Sequence, residues 1–411
     1  MEIKNSKKCT KNSTKNSEIK ANTNNTNNTS KNSTKLNNSK NKLSLNDLTI
    51  KKTVKETKID SNKPLVSVIV TICNTAHLLH SCIESIVAQT YTNLEIILID
   101  SYSIDGSFKV CEKFASKDSR IKFTCDVFKS ESDMRNYGLS QATGDYITFV
   151  SGSDFISLNY IEYQLEIIQK YNADISECEF IKVPEIVSAE NSFEPPKQNV
   201  ERITEFLPWQ AIENLHSISH NTCVRTVVLW NKLYKKYIFD DIRFPEDKRF
   251  EDEFTTYKLF RKAKKIVCSN QILYAYVQIG TFKNRSYYDE HRLDILEAYE
   301  NYMKFFKEMK SPYMLERAGR RYLRIMLIIR KEMSAFDKHL PDKRDTIKRL
   351  DARFKTIYNY LNVLCDKYPY LADTKPWHQI YYNKYNTYIK LIQEFNKENL
   401  KYEHNRRRQS L

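Results

Sequence analysis

The chain has 411 residues, 41% of them hydrophobic and 12% aromatic, with a formal net charge of +15. That length allows two or three domains and a sizeable core. Residues 1–60 hold 14 Lys against 5 acidic residues, so +9 of the charge sits in the tail; the tail has no arginine and no aromatics, which argues against specific nucleic-acid binding.

Nine scattered cysteines, with no Cys-x-x-Cys pair, read as reduced core thiols of an intracellular protein. No run approaches the ~18–20 apolar residues of a membrane span, and the start shows no apolar signal region. A cytoplasmic protein is expected, with peripheral membrane contact left open. Residues 1–62, rich in Asn, Lys, Ser and Thr, are expected to be a disordered tail because they offer too little apolar surface to offset ordering entropy.

The first strand follows Pro64, over Leu65–Thr71. Ala76–Gln89 then reads as a helix with Leu78, Leu79, Cys82, Ile83, Ile86 and Val87 on one face. A second β-branched run, Leu94–Ile99, ends on Asp100, and a helix over Ser107–Ser116 follows. Ile121–Cys125 is a short strand. Ser130 or Ser132 caps a helix over Ser132–Ser140. A third run, Tyr146–Val150, ends on Ser151-Gly152-Ser153-Asp154. Apolar runs alternating with helices predict buried parallel strands in βαβ units.

Phe155–Tyr171 is predicted as helix and Ala173–Phe180 as strand. Residues 183–199 read as an insertion or loop, and Leu207–Ser219 as helix. His216, His220 and Cys223 have metal-like spacing, but no fourth ligand lies nearby, which favours a core or surface role. A helix opens at Phe250-Glu251-Asp252-Glu253-Phe254, and Lys265–Cys268 leads into Ile272–Tyr276. From His291 the chain is helical. Arg317, Arg320, Arg321 and Arg324 share neighbouring faces of one helix, as an anionic or membrane-surface patch or as a solvated face.

In parallel sheets ligands bind beyond the carboxyl ends of the strands, where Asp100 and Asp154 fall. Two carboxylates there suit a nucleotide-sugar donor. One would accept from the ribose or base, and one would hold a divalent ion against the diphosphate. A third, Asp252, would take the proton from an attacking hydroxyl.

Five motifs sharpen this reading: Pro64-Leu65-Val66-Ser67-Val68-Ile69-Val70-Thr71-Ile72-Cys73-Asn74; Ser85-Ile86-Val87-Ala88-Gln89-Thr90-Tyr91; Ile99-Asp100-Ser101-Tyr102-Ser103-Ile104-Asp105-Gly106-Ser107; Met134-Arg135-Asn136-Tyr137-Gly138-Leu139; and Ala142-Thr143-Gly144-Asp145-Tyr146-Ile147. With Trp230-Asn231-Lys232-Leu233-Tyr234 and the Glu-Asp pair at 251–252, the chain resembles the family 2 glycosyltransferases over about half its length. The resemblance implies an α/β GT-A fold, a mostly parallel central sheet flanked by helices, over residues 63–290. A helical C-terminal region, 291–411, would follow. It implies sugar transfer from a nucleotide-sugar donor, a UDP-sugar among the candidates, to a glycan, lipid-linked or protein acceptor, with inversion. It places Asn74, Asp100, Asp105 and Arg135 at the donor nucleotide and Asp252 as catalytic base.

One departure stands out. Where the family carries Val-Asp-Ser-Asp-Asp for a divalent cation, Mn or Mg, this chain has Val150-Ser151-Gly152-Ser153-Asp154. Three readings stay open: Asp154 alone holds the metal, cationic side chains neutralise the diphosphate, or the chain is a non-catalytic glycosyltransferase-like binding protein.

Overall fold

The computed structural model describes residues 63–185, 196, 200–217, 220–279, 290–335, 343–387 and 389–390. The predicted disordered tail, most of the 183–199 loop and the arginine-rich end at 406–408 lie outside them.

Four strands form the parallel half of the sheet: β1 (Val66–Ile72), β2 (Leu94–Asp100), β3 (Ile121–Cys125) and β4 (Tyr146–Ser151), in the order β3-β2-β1-β4. Every residue of β1 and β2 is buried, as expected of strands covered on both faces. Val66, Val68 and Val70 pack with Leu79, Cys82 and Ile83 of α1 (Ala76–Val87). Ile69, Ile97 and Ile99 pack on the other face with Met134 and Leu139 of α3 (Glu131–Gln141). A Cβ at Gly138 would run into Ile69 and Ile99, so only glycine lets α3 lie this close. Helix α2 (Ser107–Ala115) links β2 to β3. Ser130 caps α3, its hydroxyl accepting from the Asp133 N–H while Asp133 accepts from the Ser130 N–H.

Beyond β4 the sheet turns mixed. β8 (Lys232–Lys235) runs antiparallel between β4 and β6 (Ile175–Pro184). β9 (Ile266–Gln278) lies parallel to β6 and carries β5 (Phe155–Ile156) and β7 (Ile203–Phe206) as antiparallel neighbours. Among the described residues the sheet has nine strands. The predicted helix at Phe155 starts later, as α4 (Tyr160–Lys170), because Phe155 and Ile156 pair with Ala275 and Tyr274. The runs 265–268 and 272–276 fall within one strand, β9, of 13 residues.

The seam between the two halves is β8. Lys232 is wholly buried; its Nζ donates to the carbonyls of Val228 (2.6 Å) and Arg225 (2.8 Å) and to Asn231 Oδ1 (2.7 Å). Glu177 lies 3.2 Å away. Burial pulls the ammonium below the ordinary lysine value, and Glu177 pulls the other way. Asn231 Nδ2 donates to the Cys178 carbonyl at 2.8 Å, stitching the seam to β6.

The remaining helices are α5 (Pro208–Asn214), α6 (His220–Val227), α7 (Glu251–Lys262), α8 (Asp294–Glu308), α9 (Pro312–Ala335) and α10 (Lys343–Lys367). One core joins them to the sheet, running from Ile69 and Phe149 through Tyr257 and Tyr302 to Leu323 and Phe354. The described residues fall in a single compact unit. Among them, no helix is long and apolar enough to cross a membrane. Six of their eight cysteines are buried and all eight are free thiols.

Candidate functional site

The carboxyl ends of β1, β2 and β4 open onto a cleft of about 1030 Å³. Its floor is Thr71, Ile72, Cys73 and Thr75 at the end of β1 and just past it, Ser101 after β2, and Ser151 and Ser153 at and just past the end of β4. The start of α3 and the segment 247–251 form its walls, with His291, Arg292 and Glu332 at the far side. Asn74, Asp247 and Phe250 at its margin all have left-handed φ, of 51°, 53° and 59°. For a bulky residue such as Phe250 that conformation is strained, and strain of this kind gathers at functional sites.

Asn74, Asp100 and Asp105 come together behind this wall of the cleft, none of them lining it, and each holds loop backbone. Asp100 is fully buried and accepts from the hydroxyl and N–H of Ser103, the latter at 3.3 Å. The Asn74 N–H donates to Ser103 Oγ at 2.8 Å, and its side-chain oxygen accepts from the Ile104 N–H at 2.9 Å. Asp105 accepts from the Ala76 N–H at the start of α1 (2.8 Å) and from the Ser107 N–H and hydroxyl (3.0 and 2.7 Å). Burial opposes its ionisation, but these hydrogen bonds prevail and hold the carboxyl below the usual range. The β1 and β2 loops are thereby locked into one wall of the crevice.

Arg135 is buried between two carboxylates. It pairs with Glu131, one turn earlier, at 2.5 Å and with Glu251 at the head of α7. Burial would lower its pKa, but Glu131, Glu251 and Asp252 outweigh that and raise it. Glu131 also accepts from the Thr71 hydroxyl at 3.0 Å, which ties β1 to this network. Glu251 lines the cleft; Asp252, partly buried beside it, does not. Burial first, then the charges of Glu251 and Glu253, push the Asp252 carboxyl well above the usual range. Its Oδ1 accepts from the Glu253 N–H at 2.8 Å.

The donor set at the end of β4 does not suit a divalent cation. The hydroxyls of Ser151 and Ser153 face the cleft 3.2 Å apart. Asp154, fully buried, turns inward: Oδ2 accepts from the Tyr274 hydroxyl at 2.8 Å and Oδ1 from the Val277 N–H at 2.9 Å. Burial pushes its carboxyl up to about 7 against those bonds. Among the described residues no three His, Cys, Asp or Glu side chains converge on one metal position.

Cations line the cleft instead, and sequence reasoning missed them. Lys129 is exposed. Lys248 reaches Glu297 at 2.7 Å, and Arg292 lies 2.9 Å from Glu332 with its guanidinium over the Phe250 ring. Arg249 completes the group. They come from segments more than 40 residues apart, so no periodicity links them. Glu131 alone left a signal, four residues before Arg135.

The model of the family described as "Glycosyl transferase family 2" matches residues 67–230. The glycosyltransferase GlyG of Streptococcus pneumoniae is 33% identical over 214 residues, 52% of this chain and 70% of that protein. GlyA of the same organism is 30% identical over 218 residues, 51% of this chain, and the match spans only 30% of GlyA. The crystal structure of S. aureus TarS 1-349 in complex with UDP-GlcNAc superposes with a TM-score of 0.56 at 18% identity, covering 81% of this chain and 92% of that one, which shows the shared fold. By motif, by relatives and by the arrangement of its sheet, the chain belongs to glycosyl transferase family 2.

Proposed function

We propose that the chain transfers a sugar from a nucleotide-sugar donor to an acceptor hydroxyl, with inversion, in the cleft beyond β1, β2 and β4. The observation that carries this is the meeting of that cleft with the head of α7, where Glu251 lines it and Asp252 follows as the next residue. Asn74, Asp100 and Asp105 shape the nucleotide side, with Arg135 fixing α7 against it. The acceptor oxygen attacks the anomeric carbon as the bond from that carbon to the diphosphate oxygen breaks. The bonding electrons leave with the diphosphate, and the hydroxyl proton passes to Asp252. Its raised pKa makes Asp252 a stronger base than an ordinary aspartate when ionised. Lys129, Lys248, Arg249 and Arg292 neutralise the leaving charge. The fold shared with a UDP-GlcNAc complex supports a UDP-sugar as donor. The acceptor is a glycan, a lipid-linked sugar or a protein.

Calorimetric titration with UDP and UDP-sugars, in manganese and in EDTA, tests the reading. Equal affinity in both is expected, and binding only with manganese would remove the cationic role. Asp252→Asn should abolish turnover and leave UDP affinity within about twofold, since it removes a base and no nucleotide contact. If Glu251→Gln abolishes turnover and Asp252→Asn does not, the base is Glu251. The serine hydroxyls at 151 and 153 favour one second reading, a binding protein without turnover. It is met if UDP-sugars bind and neither transfer nor donor hydrolysis follows.

A further inference from the structure

A second pocket lies away from the cleft, among the C-terminal helices. Arg317, Arg320, Arg321 and Arg324 of α9 line it, at spacings that stack them along one helix face. His216, just past α5, closes one side, and Trp377 of the helical segment 375–387 another. Its volume is about 60 Å³ against 1030 Å³ for the cleft, room for a group of a few heavy atoms and not for a nucleotide.

The charges around it do not balance. Among the described residues, no carboxylate lines the pocket. Glu213 meets Arg317 at 3.7 Å, Glu316 meets Arg320 at 3.5 Å and Glu253 meets Arg321 at 3.6 Å, each from outside it. Glu316 is shared with His378 at 2.8 Å. Arg324 has no ion-pair or hydrogen-bond partner among the described residues. Like charges one turn apart on a helix repel, so four guanidinium groups on one face raise the energy of the empty pocket.

His216 supplies an independent observation. It is only 4% exposed, yet neither ring nitrogen has a hydrogen-bond partner among the described residues. A buried imidazole with both nitrogens unpaired is costly unless a ligand satisfies them. Tyr302 and Phe306 hold the ring edge-on at 4.7 and 5.4 Å, so it cannot swing out to water without breaking that packing. Burial, then Arg321 and Arg317, lower its pKa, which leaves a neutral ring with one N–H to donate. Arg317 Nε is also buried without a partner among the described residues.

We infer that this pocket binds a phosphate group, carried either as a free or soluble phosphate or as a phosphomonoester lipid headgroup. Guanidinium forks match the spacing of phosphate oxygens, and a phosphate offers three acceptor oxygens to several arginines at once where a carboxylate offers two. The inference is independent of the glycosyltransferase reading.

Potassium phosphate is titrated into the full chain at constant ionic strength, with chloride as the control, and tryptophan fluorescence is followed. A saturable change with half-saturation near or below about 1 mM is expected, and Trp377→Phe should remove it. Arg324→Gln should raise the half-saturation about tenfold with no change in the phosphate-free melting temperature, because Arg324 holds nothing in the fold. Arg320→Gln is the second variant. No saturable response in phosphate, or the same response in both arginine variants, overturns the inference. Sedimentation with phosphatidylcholine vesicles, with and without phosphatidic acid, separates the two sources. Pelleting that needs phosphatidic acid and is lost in Arg324→Gln assigns the lipid source. Phosphate saturation without such pelleting assigns the soluble one.

Discussion

Asp154 is protonated in the fold at a pH where an aspartate in the unfolded chain is ionised, because burial lifts its carboxyl to about 7. The native state therefore holds more protons than the unfolded one between about pH 4 and 7. Its stabilising share is full below the unfolded value and is lost as pH rises through 7. Asp154→Asn should remove that loss, on the order of a few kcal/mol, and flatten the fall of unfolding free energy over this range. Urea unfolding between pH 4.5 and 8 measures it, and an unchanged slope would count against the assignment. The residue was legible as a strand-end carboxylate; its orientation was not. What turns it inward is Tyr274 and Val277, about 120 positions later on β9, and no local pattern encodes that pairing. Asp100 works locally, on Ser103 three residues on, whereas Asn74 and Asp105 bond across to each other's loops some 30 positions away, a pairing no local pattern encodes.

Among the elements, β8 shows how a motif can be read without its role. Trp230-Asn231-Lys232-Leu233-Tyr234 stands out in sequence as a recognisable run, yet a lysine in a four-residue strand suggests an exposed edge. The structure makes it the middle of the sheet, with Lys232 supplying hydrogen bonds to three oxygens and charge to Glu177. Lys232→Ala should destabilise the protein by about 3–5 kcal/mol, since it strips the donor from three buried oxygens and leaves buried Glu177 with Arg225, 2.6 Å away, as its remaining cation. Lys232→Met with Glu177→Gln should recover part of the loss, as both charges then go together. Chemical denaturation of the three proteins decides it; a double variant no better than Lys232→Ala would show that the carbonyl contacts, not the ion pair, dominate. The parallel strands β1 to β4 were plain from their apolar runs. The mixed half was harder, because short strands such as β5 exist only through partners far along the chain.

For the whole molecule, the C-terminal helices were predicted as a region from residue 291, and the packing runs straight across that point. The Tyr257 ring of α7 lies tilted against Tyr302 of α8 with centroids 4.6 Å apart, and buried Glu253 accepts from the Tyr302 hydroxyl and pairs with Arg321. A chain ending at residue 290 should therefore be insoluble or molten, with Glu253 left uncompensated and the α7 aromatics bare. The full chain from residue 63 should unfold in one transition when followed by near- and far-ultraviolet circular dichroism. Two separate transitions would mean that the helices are an independent domain. The seam at β8 also sets an order of assembly. During synthesis β1 to β4 emerge together and can pair, but β4 keeps a bare hydrogen-bonding edge until Lys232 leaves the ribosome. That interval is roughly 80 residues, or about 4–16 s at ordinary elongation rates. For those seconds the nascent chain carries an open, β-branched edge of the kind other chains can join, and the four residues of β8 are what finally close it.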